Sequence, residues 1–218
     1  MNESTKSKTH WGAMERSVLT GNGIDIGCGT DPVIEGVRAF DIDDGDANHV
    51  SNYVKDQFDF VYSSHCLEHM YDPQVTLLDW FSLVRPGGHL FFIVPDEDLY
   101  EQGIFPSRFN PDHKATFTIS KVKSWSKKSY NVFDLATSLP NSQILKMALV
   151  DIGYDRSLSR FGEQNLNILQ KAIIKTYNVA FTRKLCFVEK WIETIYANDQ
   201  TRRPNVSAQI ECIVRKNL

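Results

Sequence analysis

Gly23-Ile24-Asp25-Ile26-Gly27-Cys28-Gly29-Thr30-Asp31 is an apolar strand running into a glycine turn, with a carboxylate two residues before the Gly27/Gly29 pair. A second carboxylate, Asp41, closes the next apolar run. Glycine has no Cβ to keep a ligand away from the backbone, and the first carboxylates of an open parallel sheet lie beside the crevice where ligands bind. The layout predicts a nucleoside-binding first strand. A dinucleotide fingerprint would carry a third glycine three residues after Gly29, but that position is Pro32, and Asp31 puts negative charge where a diphosphate would lie. A nicotinamide-dependent oxidoreductase is therefore the weaker reading, and a cofactor bearing a sulfonium and an amino acid in place of phosphates is the better one.

Further motifs follow in order: A-F-D-I-D around Asp41, G-D-A at Gly45 to Ala47, F-D-F-V-Y-S-S-H-C-L-E-H at Phe58 to His69, and V-R-P-G-G-H-L-F-F-I-V-P at Val84 to Pro95. With D-I-G-C-G-T at Asp25 to Thr30, the chain resembles the class I S-adenosylmethionine-dependent methyltransferases. S-S-H-x-L-E-H and P-D-E-D-L-Y make it similar to the type 11-like bacterial methyltransferases of small molecules and polysaccharides. The resemblance implies an α/β fold, a seven-stranded, mostly parallel Rossmann-like sheet with helices on both faces and an antiparallel last strand. It implies S-adenosylmethionine as cofactor. The implied reaction is O-methylation of a sugar or sugar nucleotide in bacterial surface polysaccharide biosynthesis. N-methylation of an amino sugar or other small amine is a variant, and a non-catalytic cofactor-binding protein is a rival of another class.

The 218 residues fit one domain. A net charge of -3 with scattered basic residues speaks against a nucleic-acid partner. Cys28, Cys66, Cys186 and Cys212 form no C-x-x-C pair, which argues against a zinc site or a disulfide framework and for a reducing, cytoplasmic setting. Met1 to His10 is polar, and no run approaches the ~20 apolar residues of a membrane helix, so no membrane insertion is expected.

Residues 1–20 read as a polar arm with a short helix around Trp11 and Met14. Strands are expected at Gly23 to Ile26, Val37 to Asp41, Asn48 to Ser51, Phe58 to Ser63, His89 to Val94, Ile144 to Asp151 and Ala208 to Arg215. Apolar residues at helical spacing from Val75 to Val84 predict a helix closed by Pro86-Gly87-Gly88. Another is expected over Ser126 to Leu139. The long polar and aromatic stretch 96–125 reads as a substrate-covering segment. Between strands six and seven, 152–205 is an insertion with amphipathic helices at Leu166 to Ala180 and Cys186 to Tyr196. It would serve as a substrate cover or as a homodimer surface.

The resemblance places Asp41 on the ribose hydroxyls and Ile42 on the adenine face. Asp46 and Ala47 become the adenine-binding pair. Asp25, Gly27, Cys28 and Gly29 form the turn around the methionine moiety, and Ser64 ends the fourth strand beside the cofactor. Removing a proton from a hydroxyl acceptor calls for a base, and histidine is the usual one near neutral pH. His65 is one candidate, either as the base or as the residue that orders its loop. His113 is the other, on the covering segment beside Asp112, which could orient its ring. His69 with Glu68 reads as a structural cap or hydrogen bond. Asp96, Glu97 and Asp98 could join a histidine on a metal, but they read better as a helix start, and no metal site is assigned. Tyr100, Phe105, Phe109, Phe117 and Trp125 either stack on a sugar or pin the segment.

Overall fold

The computed structural model describes residues 3–119, 121–159 and 199–218. Eight strands are found there: β1 (Gly23–Ile26), β2 (Arg38–Phe40), β3 (Phe58–Ser64), β4 (Val84–Pro95), β5 (Thr116–Thr118), β6 (Ser129–Asn131), β7 (Ser142–Val150) and β8 (Gln209–Lys216). Six form one sheet in the order β2-β1-β3-β4-β8-β7, and β5 pairs with β6 in a small parallel sheet. The first four strands of the large sheet run parallel, whereas β8 is antiparallel to both β4 and β7. The α/β class, the mostly parallel sheet and the antiparallel last strand stand as expected. The strand count does not.

The expected strand at Asn48 to Ser51 is a 3-10 helix, Ala47–Asn52. Its cause is local hydrogen bonding by an aspartate, which competes with sheet pairing. Asp46 accepts from the backbone and side chain of Asn48, Ser51 bonds Asp79 through N–H and hydroxyl, and Trp80 Nε1 donates to the Ala47 carbonyl at 2.8 Å. The sheet therefore has six strands instead of seven.

Four short α-helices accompany the sheet among the described residues: α1 (Glu3–Lys8), α2 (Ala13–Val18), α3 (Pro73–Ser82) and α4 (Val132–Thr137). Asp72 starts α3 by accepting from the N–H groups of Gln74 and Val75, with Pro73 in the first turn where its missing N–H costs nothing. Helix was expected from Ser126, but Ser129–Asn131 pairs with β5 and Asn131 caps α4 two residues on. None of the described helices is long and apolar enough to cross a membrane.

Strand alternation sorts the core into two layers. Leu90, Phe92 and Val94 face Leu77, Trp80 and Phe81 of α3, while Phe60, Tyr62, Phe91 and Ile93 face Trp11 and Val18. The Trp11 ring lies 5.9 Å from Tyr62 and 5.2 Å from Phe91, and its Nε1 donates to Glu211 at 3.2 Å. The expected N-terminal arm thus packs on one face of the sheet through Trp11, Val18 and Leu19.

The helices expected at Leu166 to Ala180 and Cys186 to Tyr196, and with them the dimer surface, lie outside the described residues. The two ends of the insertion are joined by reciprocal bonds: Asp155 N–H donates to Gln200 Oε1 and Gln200 Nε2 donates to the Asp155 carbonyl, each at 2.9 Å.

Candidate active site

Parallel pairing brings the carboxyl ends of β1, β3 and β4 to one edge, with Ile26 beside Ser63 and Ser64 beside Ile93. Just past β1, Gly27 has φ +75°, and a Cβ there would come within 2.7 Å of the Cys66 side chain. Only glycine fits both demands. Gly27 N–H donates to the Phe40 carbonyl at 2.8 Å. Asp41 accepts from Gly29 N–H at 2.5 Å through one oxygen and from Ile42 N–H at 2.7 Å through the other. The carboxylate thereby ties the glycine turn to the end of β2 and keeps lone pairs on a partly exposed face.

Asp25 is 1% exposed and accepts from Val33 N–H at 2.7 Å through Oδ2, while Oδ1 has no hydrogen-bond partner. Burial pushes its carboxyl up to about 7, against the opposing pull of the Val33 N–H and with a further push from Asp31 and Asp41. Burial also raises the Cys28 thiol above its ordinary range. Ile42 is 87% exposed beside the turn. Asp46 is held below the usual carboxylate range by the side-chain and backbone N–H groups of Asn48. Ser64 is buried at the end of β3. The sequence-predicted cofactor residues are therefore gathered along one edge, from Asp46 and Ala47 through Asp41 to Asp25 and Ser64.

Beside this edge opens a cavity of about 260 Å3, whose walls include His65, Glu68, His69, Tyr100, His113 and Gln209. Helix α1 contributes Glu3 and Lys6. It is tied to the glycine turn by Thr5, which donates through N–H and hydroxyl to the Asp31 carboxylate at 2.8 and 2.5 Å. His65 turns the chain out of β3 with φ +53° and hydrogen-bonds Gln209 Oε1 at 3.2 Å through Nε2. Burial would lower its pKa, but the Glu68 carboxylate, 3.3 Å from Nδ1, and Glu3 outweigh burial and push it up to about 9. In this state His65 carries its proton at neutral pH, which works against its acting as a base.

His113 is buried and stacks on Tyr100, with ring centroids 5.3 Å apart. Its orienting carboxylate is not the neighbouring Asp112 but Glu101, which accepts from Nδ1 at 2.7 Å. Asp112 instead pairs with Nδ1 of His69 at 2.8 Å. The two histidine rings meet edge to face at 5.0 Å. The acidic cluster after β4 has structural duties: Asp96 caps the π-type turn Glu97–Glu101, and Glu97 and Asp98 both pair with Lys121.

Glu68 was missed as a functional candidate. It is 0% exposed and neither carboxylate oxygen accepts an aligned hydrogen bond. Burial would raise its pKa, yet the imidazoles of His65, His113 and His69 hold it below the ordinary range. The signal was present in H-x-x-E-H, where Glu68 and His69 follow His65 on the same short turn.

An open α/β sheet with a glycine turn, a carboxylate just past the second strand and a polar cavity near its carboxyl edge is a Rossmann-like, nucleoside-binding arrangement. A family profile described as a methyltransferase domain matches residues 13–131, and the chain belongs to that family. Its methyl donor is S-adenosylmethionine. A search of curated proteins finds no match. Among solved structures, the fold is similar to a protein provisionally described as a sarcosine dimethylglycine methyltransferase from Galdieria sulphuraria, at 12% identity, TM-score 0.50, and coverage of 99% of this chain and 84% of that one. A SAM-dependent methyltransferase from Archaeoglobus fulgidus matches at 16% identity and TM-score 0.47, covering 100% and 95%. Another from Clostridium acetobutylicum matches at 11% identity and TM-score 0.48, covering 100% and 92%.

Proposed function

We propose that the chain methylates a hydroxyl of a small polar acceptor, a sugar or sugar nucleotide, held in the cavity of His65, Glu68 and His113. The observation that carries this reading is that His65 and Glu68 of the cavity wall flank Cys66, whose side chain packs against Gly27 of the glycine turn. The turn fits the cofactor: the orphaned Oδ1 of Asp25 lacks a donor that an α-amino group would supply, and a Cβ at Gly29 would meet nothing nearer than Asp41 Oδ2 at 4.0 Å, so the space beside that backbone is open.

When bound, S-adenosylmethionine supplies an electrophilic methyl on a sulfonium. Asp41 would accept from the ribose hydroxyls, Ile42 would cover the adenine, and Asp46 with Ala47 would meet its edge. Gly27, Cys28 and Gly29 would line the methionine moiety, with Ser64 beside it. The protein's part in an in-line transfer is alignment and exclusion of water. Glu3 and Lys6 of α1 would close the cavity from above. His65, carrying its proton and with its two N–H groups turned to Glu68 and Gln209, would put positive charge on the cavity wall beside the acceptor. His113, whose Nδ1–H is spent on Glu101, would offer the Nε2 lone pair to the acceptor hydroxyl.

A second reading, an amine acceptor, has its own support in the carboxylates of Glu3, Glu68 and Asp199 on the cavity wall, which suit a cation. Calorimetric titration with S-adenosylmethionine, S-adenosylhomocysteine and NAD, repeated with Asp41→Ala, tests the cofactor site. Binding of both adenosyl ligands, lost in the variant, supports it, and binding of NAD alone refutes it. Turnover on sugar nucleotides against small amines then decides the acceptor. We place the reaction in the cytoplasm and read 1–218 as one domain, with 96–125 over the substrate and 152–205 as a cover or dimer surface.

A further inference from the structure

We propose that Glu68, His69 and His113 form a binding site for one divalent transition-metal ion, of the zinc or cobalt class, opening into the acceptor cavity. The three side chains each present one ligand atom, and these atoms lie within 4.8 Å of one another. Glu68 Oε1 is 3.9 Å from His113 Nε2. A tetrahedral ion with bonds of about 2.1 Å needs ligand atoms roughly 3.4 Å apart, so side-chain shifts of an ångström or less complete the triad.

Two independent features point to a cation. The first is the buried Glu68, whose two oxygens accept no aligned hydrogen bond. Its Oε1 has the His65 Nδ1 as a charge partner at 3.3 Å, but a buried carboxylate with no aligned hydrogen bond on either oxygen is still costly, and an ion would satisfy it. The second is the arrangement behind the histidines. His113 gives Nδ1–H to Glu101 and His69 gives Nδ1–H to Asp112, so each ring is oriented with its Nε2 left for a ligand. Carboxylates bonded to the far nitrogen are the usual support of a metal-bound imidazole. Two imidazoles and one carboxylate suit zinc or cobalt better than calcium or magnesium, which prefer oxygen ligands.

Three protein ligands leave a position free, and the free position faces the cavity. An acceptor oxygen could occupy it, which would fix the reacting hydroxyl on the ion. The inference rests on the methyltransferase reading for its role but not for the site itself. In the metal-loaded enzyme the His113 lone pair is a ligand, and a hydroxyl held at the free position, made more acidic by the ion, would lose its proton to solvent in the cavity instead of to His113.

Tag-free protein stripped with chelator is titrated with Co2+ and followed by visible ligand-field absorption and calorimetry, with Zn2+ and Mg2+ as competitors. One Co2+ per chain, displaced by Zn2+ and not by Mg2+, is expected. Glu68→Gln and His69→Ala should each weaken binding at least tenfold while S-adenosylmethionine still binds, and the exposed His49→Ala should match the wild type. If Glu68→Gln fails to fold, His69→Ala on its partly exposed turn carries the test. No Co2+ binding by the wild type, or unchanged affinity in His69→Ala, overturns the site. Loss of the metal result with S-adenosylmethionine binding intact defeats this inference alone, whereas a wild type that binds no S-adenosylmethionine defeats the functional reading.

Discussion

Glu101 accepts a hydrogen bond of 2.7 Å from Nδ1 of His113, and both side chains are almost fully buried. An ionised carboxylate can only accept, so the pair places the ring proton on Nδ1 and directs Nε2 toward Glu68 and the cavity. Both residues come from the stretch 96–125, which thus brings its own oriented imidazole to the cavity wall.

Glu101→Gln keeps the shape but can offer its amide as a donor, which permits the other tautomer. Methyl transfer is expected to fall 10- to 100-fold, with S-adenosylmethionine affinity within about twofold of wild type. Steady-state kinetics alongside calorimetry separate the two, and a variant with unchanged kcat would remove the role given to Glu101.

Asp41→Ala removes the acceptor for the N–H groups of Gly29 and Ile42 as well as the proposed ribose contact. Hydrogen bonds to a charged group contribute about 1.5–3 kcal/mol, so S-adenosylhomocysteine should bind at least tenfold more weakly. Asp41→Asn, which retains an acceptor oxygen, should lose less. Equal Kd values for wild type and Asp41→Ala would place the ribose elsewhere.

Asp25 carries a pH dependence whose sign follows from its burial. Its folded-state carboxyl is pushed up to about 7 from an ordinary 3.8, so the folded chain holds this proton more tightly than the unfolded chain does. The charged carboxylate therefore costs stability above about pH 7, and the cost is relieved as pH falls from 7 toward 4. Asp25→Asn should raise the Tm of the ligand-free protein at pH 8, with the gain shrinking near pH 5. The same variant should bind S-adenosylmethionine more weakly. Thermal melts at the two pH values that show a constant difference would contradict the burial argument.

Trp11 is 6% exposed between Tyr62 and Phe91. Trp11→Ala should destabilise the domain by about 3–5 kcal/mol. Urea denaturation measures this, and a loss below about 1 kcal/mol would return residues 1–20 to the status of a free arm.

Strands β1, β3 and β4 were legible because they are short, mostly apolar runs, with glycine or proline bounding β1 and β4, as strands buried on both faces should be. The turn around Gly27 and Gly29 was legible because backbone approach demands glycine. Asn48 to Ser51 was misread because Asp46 and the distant Asp79 supply hydrogen bonds that outcompete pairing. The role of residues 3–19 was hidden because few of them are apolar, and Trp11 gains its meaning only from the sheet face it covers.

The site divides along the same line. By itself the sequence determined the main strands of the sheet and the glycine turn that follows β1, since these depend on local periodicity and on conformations few residues can adopt. Only the tertiary structure decided that Glu101 and not Asp112 orients His113, that Asp112 reaches His69 43 positions away, and that Glu68 is buried among three imidazoles. Adjacent loop residues diverge, and the energy of a buried charge depends on every group that packs around it, a sum that no short stretch of sequence contains.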